Sequence, residues 1–351
     1  MSFDPKRKFS FGSDNHSGVS SQILEAIEEA NVGQEIAYGE DPWTQKAVQA
    51  FQELFEAPVG VCFTMTGTGA NLVGLGTLLK SFEAIICTDV SHIHVDECGA
   101  PEKFLSVKLL DIPHKNGKLT LLDLETFLED LDCEHRVQPK VLSLTQATEI
   151  GTVYHPEELG RIREFKDRHG WFLYVDGARL SNALVSLKMT PAEFLQVSGA
   201  DVISFGGTKN GLLMGEALIF SNQNAALQAK FLRKQCSQLA SKMRYISAQL
   251  LSYLKEDLWK RNASLANSMA LRLGELVSSI HGVEIVYPIE SNAVFARVSM
   301  EANEAMWKRG HHYHVWSERE KIVRWMTSFD TAIDEVEVFA ADLKEVLSQL
   351  T

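Results

Sequence analysis

The chain has 351 residues, 45% hydrophobic and 23% charged, a globular balance with material for about two domains. Acidic residues outnumber basic ones 46 to 34, a formal charge of −12, which disfavours nucleic acid as a partner. Five cysteines without a CxxC pair (Cys62, Cys87, Cys98, Cys133, Cys236) argue against a disulfide framework and against structural zinc, and fit a reducing compartment. Positive charge at Lys6, Arg7 and Lys8 has no apolar run behind it, so no signal peptide is expected. No stretch approaches the ~20 apolar residues of a membrane span. The expectation is a cytoplasmic protein with no membrane partner.

In chain order, Asp41-Pro42 reads as an N-cap followed by a first-turn proline, and Ala47, Val48, Phe51, Leu54 and Phe55 continue the helical period. Residues 59–65 read as a buried strand, Thr66 to Asn71 as a loop, and residues 72–80 as the next helix. Residues 85–87 and 140–145 give a second and a third strand. An amphipathic helix over 156–169 stops at Gly170. Residues 171–175, 201–205 and 216–220 supply the fourth, fifth and sixth strands. Short apolar strands separated by helices predict an α/β sheet covered on both faces. After about Asn222 a long helical stretch runs from Leu227 to Leu276. Strands at 283–287, 293–298, near His314 and at 322–326, with helices over 301–308 and 331–350, complete a smaller α+β unit. The predicted organisation is an N-terminal segment (1–20), a large α/β domain (21–255) and a small C-terminal domain (256–351).

Ligands of open α/β sheets bind at the carboxyl ends of strands, and three segments place polar residues there. Thr66-Gly67-Thr68-Gly69-Ala70-Asn71 offers glycines and free N–H groups at a helix start, which attract phosphate. It lacks the lysine of a P-loop, and alone it is equally a tight strand-to-helix turn. Asp176-Gly177-Ala178-Arg179 puts an acid at a strand end, and alone it reads as an N-cap with a surface arginine. In Gly206-Gly207-Thr208-Lys209-Asn210-Gly211 a lysine sits among small residues past a buried strand. Poor solvation of its ammonium suits a Schiff-base lysine, although an exposed loop lysine is the commoner case. A phosphate-friendly turn, an acid and a lysine together are the three contacts that pyridoxal phosphate requires. His311, His312 and His314 are a dense cluster, read as a turn and strand entry because no carboxylate or cysteine spacing supports a metal.

On these segments the chain resembles the low-specificity L-threonine aldolases, in the fold-type I group of pyridoxal-phosphate enzymes and the beta-eliminating lyase superfamily. Ser13-Asp14, Tyr38-Gly39-Glu40-Asp41-Pro42, Gly67-Thr68 with Asn71, His92 with Glu97-Cys98-Gly99, Asp176 to Arg179, Thr208-Lys209 and Val323-Arg324 with Thr327 are similar to family motifs in order and spacing. The resemblance implies a mostly parallel mixed sheet with helices on both faces. It implies pyridoxal 5′-phosphate linked covalently to Lys209, with Asp176 on the ring nitrogen and His92 stacked on the ring. Gly67, Thr68 and Thr208 would hold the phosphate. Ser13, Arg179, Arg324 and Tyr38 would bind substrate, a guanidinium being suited to a carboxylate. The implied reaction is cleavage of L-threonine, L-allo-threonine and other β-hydroxy-α-amino acids to glycine and an aldehyde, in a homotetramer. The same scaffold also runs β-elimination and transamination, and a non-catalytic cofactor- or nucleotide-binding protein would need only the glycine-threonine turn. There is one departure: Thr148 is read at the place of the family histidine that contacts the substrate β-hydroxyl. The general base is therefore sought at His92, His94 or a water.

Overall fold

The structure, a computed structural model, describes residues 11–350. Residues 1–10 of the expected N-terminal segment, and with them Lys6, Arg7 and Lys8, lie outside the described residues. Seven strands form one sheet: β1 (Gly60–Thr64), β2 (Glu83–Thr88), β3 (Lys108–Ile112), β4 (Gln138–Thr145), β5 (Phe172–Asp176), β6 (Val202–Gly206) and β7 (Glu216–Phe220). Their order is β1-β7-β6-β5-β4-β2-β3. The pairs from β3 through β2, β4 and β5 to β6 are parallel, whereas β7 runs antiparallel to both β6 and β1. This is a mixed, mostly parallel sheet, as expected.

Strand β3 is missing from the sequence reading, which counted 140–145 as the third strand; it is the fourth. β3 is an edge strand, and Lys108 and Asp111 interrupt its apolar run. One edge touches solvent, so its pattern lacks the continuous burial that marks β2, β6 and β7. The long helical stretch is likewise three helices, Gln223–Gln235, Arg244–Leu254 and Leu258–Ser278. The breaks fall at residues with left-handed backbone, Ser237 and the Glu256-Asp257 pair, where no glycine or proline announces them.

Elsewhere local chemistry sets the elements. Asp41 caps the helix Pro42–Phe55 through a 2.8 Å bond to the Thr44 N–H, with proline in the first turn. That helix buries Phe51 and Phe55 against Phe205, which also meets Tyr253 and Trp259 edge-on. A second sheet, all antiparallel, has the order β10-β11-β9-β8, with β8 at Glu284–Ile285, β9 at Ala293–Arg297, β10 at His314–Ser317 and β11 at Ile322–Met326. It packs with the helix Ile333–Leu350 around Trp325, Phe339 and Tyr313, a core that also takes in Phe11.

Candidate active site

Two strand ends make the centre of the site. β5 finishes at Asp176 and β6 at Gly206, three residues before Lys209. A side chain on Gly177 would lie 2.0 Å from the Ser204 carbonyl oxygen, and one on Gly206 would lie 2.6 Å from the Ala178 carbonyl oxygen. Only glycine permits this approach, which the bond from Gly206 N–H to the Gly177 carbonyl at 3.0 Å seals. The two turns that carry Asp176 and Lys209 are thereby held against each other.

Asp176 is buried, and both its oxygens are used. Oδ1 takes the Ala178 N–H at 3.0 Å and Oδ2 takes Asn71 Nδ2 at 3.1 Å. The first bond is the local cap expected of an aspartate here; the second is long-range and belongs to a network. Asn71 Nδ2 also donates to Glu97 at 2.6 Å, and the buried Tyr174 hydroxyl donates to Asn71 Oδ1 at 2.7 Å. The same Glu97 oxygen accepts His92 Nδ1 at 2.8 Å, and that bond holds the imidazole charged to higher pH than usual. Asn71 and Glu97 were noted in the sequence only as parts of motifs. Their positioning roles appear once the chain is folded.

Lys209 is crowded by a cation. The Arg179 guanidinium, then burial, lowers its ammonium pKa, and Asp14, Asp176 and Glu216 oppose them. The loop beneath it is clamped by Glu216, which the sequence reading did not single out. Glu216 accepts the Thr208 hydroxyl at 2.7 Å and the Gly207 N–H at 3.0 Å, and burial pushes its carboxyl up to about 7. The Thr208 hydroxyl also accepts the Gly215 N–H at 3.1 Å, so its proton is committed within the loop rather than free for phosphate.

Upstream, Thr66 caps the helix Gly67–Gly76 by taking the Gly69 N–H at 3.1 Å. That leaves the N–H groups of Gly67 and Thr68 at the open end of a ten-residue helix, a ready anion cradle. Open space surrounds Gly67.

The two arginines differ. Arg179 is locked to the buried Asp14 by bonds of 2.7 Å from Nε and 2.9 Å from Nη2, and Asn292 supports Asp14 at 3.1 Å. This pins the segment containing Ser13 across the site. Arg324, on β11, gives one bond to the Gly12 carbonyl at 3.1 Å, and its buried Nε has no partner among the described residues. Burial, and then Arg179 nearby, pulls its pKa down to about 10. Ser13, His16, His312, His314 and Arg324 line a cavity of about 690 Å³. A cavity of about 750 Å³ beside Trp43 and Leu251 contains none of the charged cluster, so chemistry rather than volume locates the site.

Three sequence-expected residues stand apart. Tyr38 is exposed, with Lys234 over its ring, and has no bond to this cluster among the described residues. His94 is exposed. Thr148 is buried, and its hydroxyl pairs with that of Thr152 at 2.7 Å. The residue that faces His92 is the next one, Glu149. His311 bonds Asp342 at 2.6 Å, and among the described residues no group of His, Cys, Asp and Glu converges as a metal site. No described helix is long and apolar enough to cross a membrane.

An acid and a poorly solvated lysine at adjacent strand ends, with an anion cradle upstream, make one site on an α/β sheet. The chain belongs to the beta-eliminating lyase family, whose model matches residues 10–301. It is 42% identical over 338 residues to the low-specificity L-threonine aldolase of Pseudomonas aeruginosa, covering 96% of this chain and 97% of that one. The solved structure of Leishmania major threonine aldolase superposes with a TM-score of 0.89 at 32% identity, covering 97% and 99% of the two chains. Oryza sativa TDC, solved with PLP and tryptamine, shares the fold alone, with a TM-score of 0.78 at 14% identity over 97% of this chain and 83% of that one.

Proposed function

We propose that this chain is a pyridoxal-phosphate-dependent aldolase that cleaves L-threonine, L-allo-threonine and related β-hydroxy-α-amino acids to glycine and an aldehyde. The observation that carries the reading is Lys209. It lies beside Asp176 and Arg179 with its ammonium disfavoured, the state a lysine needs to attack a carbonyl carbon. The other donors fit the same cofactor. Gly67 and Thr68 N–H groups would take its phosphate, Asp176 would keep its ring nitrogen protonated, and His92 would stack on the ring. When bound, the cofactor supplies an electron sink for the pair left on Cα as the Cα–Cβ bond breaks. The Thr208 hydroxyl, engaged with Glu216 and the Gly215 N–H, would steady the loop beside that phosphate.

Arg324 and Ser13 take the substrate α-carboxylate at the cavity they line, with Arg179 contributing the Nη1 that Asp14 leaves unused. Holding that carboxylate fixes which Cα bond faces the electron sink. Tyr38 lies exposed with Lys234 over its ring, and a homotetramer in the cytoplasm would cover this surface and bring Tyr38 to a neighbouring site. We put the boundary between the proposed domains 21–255 and 256–351 at the left-handed Glu256-Asp257 break.

The test is acetaldehyde release from L-threonine and L-allo-threonine, run beside borohydride reduction and peptide mass spectrometry. Acetaldehyde with either substrate and a reduced cofactor adduct on Lys209 are expected. An adduct on another lysine sinks the assignment of Lys209; no acetaldehyde from either substrate sinks the aldolase reading.

A further inference from the structure

We propose that Glu149 is the general base of the cleavage, the group that takes the proton of the substrate β-hydroxyl. The inference rests on the aldolase reading above and names a catalytic residue that reading lacks. Glu149 follows β4 at the carboxyl edge of the sheet, where β5 and β6 also deliver Asp176 and Lys209. Its Oε1 accepts the His92 N–H at 2.8 Å and the Thr145 hydroxyl at 2.7 Å, so the carboxylate is fixed in place. Its Oε2 is buried without a partner among the described residues. A buried carboxylate oxygen left unsatisfied costs stability, and at a functional site a ligand hydroxyl is the natural partner. Glu149 also lies within electrostatic reach of Asp176 and Arg179. Burial raises its carboxyl above the ordinary glutamate range, towards the pH at which a base can both accept and return a proton.

The rival groups are worse placed. His92 gives Nδ1 to Glu97, which raises its pKa, so the ring stays charged to higher pH than a free imidazole and Nε2 is open as a base only above that range. His94 is exposed outside the network, and the Thr148 hydroxyl is spent on Thr152. Glu97 also has an unpartnered oxygen, but its side chain is fully sealed beneath His92 and Asn71. Glu149 keeps some exposure.

Atoms and electrons balance between the substrate and Glu149, the bound cofactor serving only as the transient electron sink. Glu149 takes the β-hydroxyl proton, and the O–H pair becomes the second bond of the aldehyde carbonyl. The Cα–Cβ pair stays on the glycine half, where a proton from solvent neutralises it while Glu149 gives its own proton up to solvent, so the carboxylate is restored and no net proton is consumed. In the reverse direction Glu149 returns its proton to the aldehyde oxygen as the new carbon–carbon bond forms.

A purely structural Glu149 would only cap the short helix His92–Val95 through the His92 N–H. Glu149→Gln separates the roles, because its amide oxygen still accepts that N–H while its basicity is gone. In the cofactor-loaded enzyme kcat for L-threonine should fall about 10²-fold or more. Glycine affinity by absorbance titration, and cofactor affinity by fluorescence, should stay within threefold of wild type. A kcat above one third of wild type, or a fall in either affinity that matches the fall in kcat, overturns the proposal. Should Glu149→Gln fail to fold, Glu149→Asp keeps the charge with a shorter reach. It should show a kcat reduced at least tenfold with glycine affinity intact, and full kcat or lost glycine affinity overturns the proposal. Wild-type enzyme that yields no aldehyde overturns both this and the aldolase reading, whereas an active wild type with an unaffected Glu149→Gln overturns this alone.

Discussion

The two sides of the site are built on opposite plans. On the cofactor side Tyr174, Asn71, Glu97, His92 and Asp176 form a continuous chain of hydrogen bonds, nearly every polar atom matched. On the proposed substrate side Arg324 is half-buried, with an unmatched, buried Nε and a depressed pKa, and the neighbouring Arg179 adds a second positive charge. A group that must hold one orientation through every turnover gains from a satisfied network, since reorganisation then costs nothing during reaction. A site that must bind and release a carboxylate gains from donors whose best partner is the ligand itself. Under the proposed reading two unmatched atoms, Arg324 Nε and Glu149 Oε2, fall where substrate would bind, whereas that of Glu97 is sealed inside the network.

The largest effect should come from the satisfied side. Asp176→Asn removes a fixed charge while retaining an oxygen for the Ala178 N–H. Turnover of L-threonine should drop about 10²–10³-fold, the range for one preorganised electrostatic partner, with the thermal midpoint little changed. Near-normal kcat would reduce Asp176 to a turn cap and collapse the contrast.

The two arginines sharpen the comparison next. Arg179→Ala strands the buried Asp14, and breaking a buried pair costs ~3–5 kcal/mol, so Tm should fall by several degrees. The sign is opposite for Arg324. Its folded pKa lies below its ordinary value, so its charge is held at a cost at every pH below about 10. Arg324→Ala should therefore leave Tm unchanged or raise it. KM should rise by the loss of ~1.5–3 kcal/mol of charge-assisted bonding, about 10- to 150-fold. Calorimetry beside steady-state kinetics decides; equal Tm losses in both variants would show that the substrate side is as structurally satisfied as the other.

The smallest effect is a titration. Because Glu97 raises the His92 pKa, the pair contributes stability below the ordinary imidazole range and loses it as pH rises through the raised value. Glu97→Gln should move the His92 imidazole titration, followed by NMR of labelled histidine, to lower pH. No movement would detach His92 from the network.

Local chemistry was enough to reveal much of this protein. Asp41-Pro42 announces its helix, and the mostly apolar runs at 216–220 and 322–326, each with one charged residue (Glu216, Arg324), became β7 and β11 at those bounds, because burial leaves a pattern that needs no partner to be read. Asp176 and Lys209 stood out because each follows such a run. β3 did not, since an edge strand with Lys108 and Asp111 carries no such pattern. The helix breaks at Ser237 and Glu256 were silent because the residues that take the left-handed backbone there are not glycines.

What the sequence determined, then, is the order of strands, helices and polar strand ends, since these follow from burial periodicity and capping within a few residues. Only the tertiary structure decided which polar atoms meet. Glu216 reaches back nine residues to the Gly207 N–H, Asn71 reaches 105 residues to Asp176, and Asp14 reaches 165 to Arg179. It also decided between neighbours, sealing Thr148 against Thr152 and turning Glu149 towards His92. A one-residue step at the end of a strand points a side chain to the other face, and no periodic signal in the sequence reports where that step falls once the strand has ended.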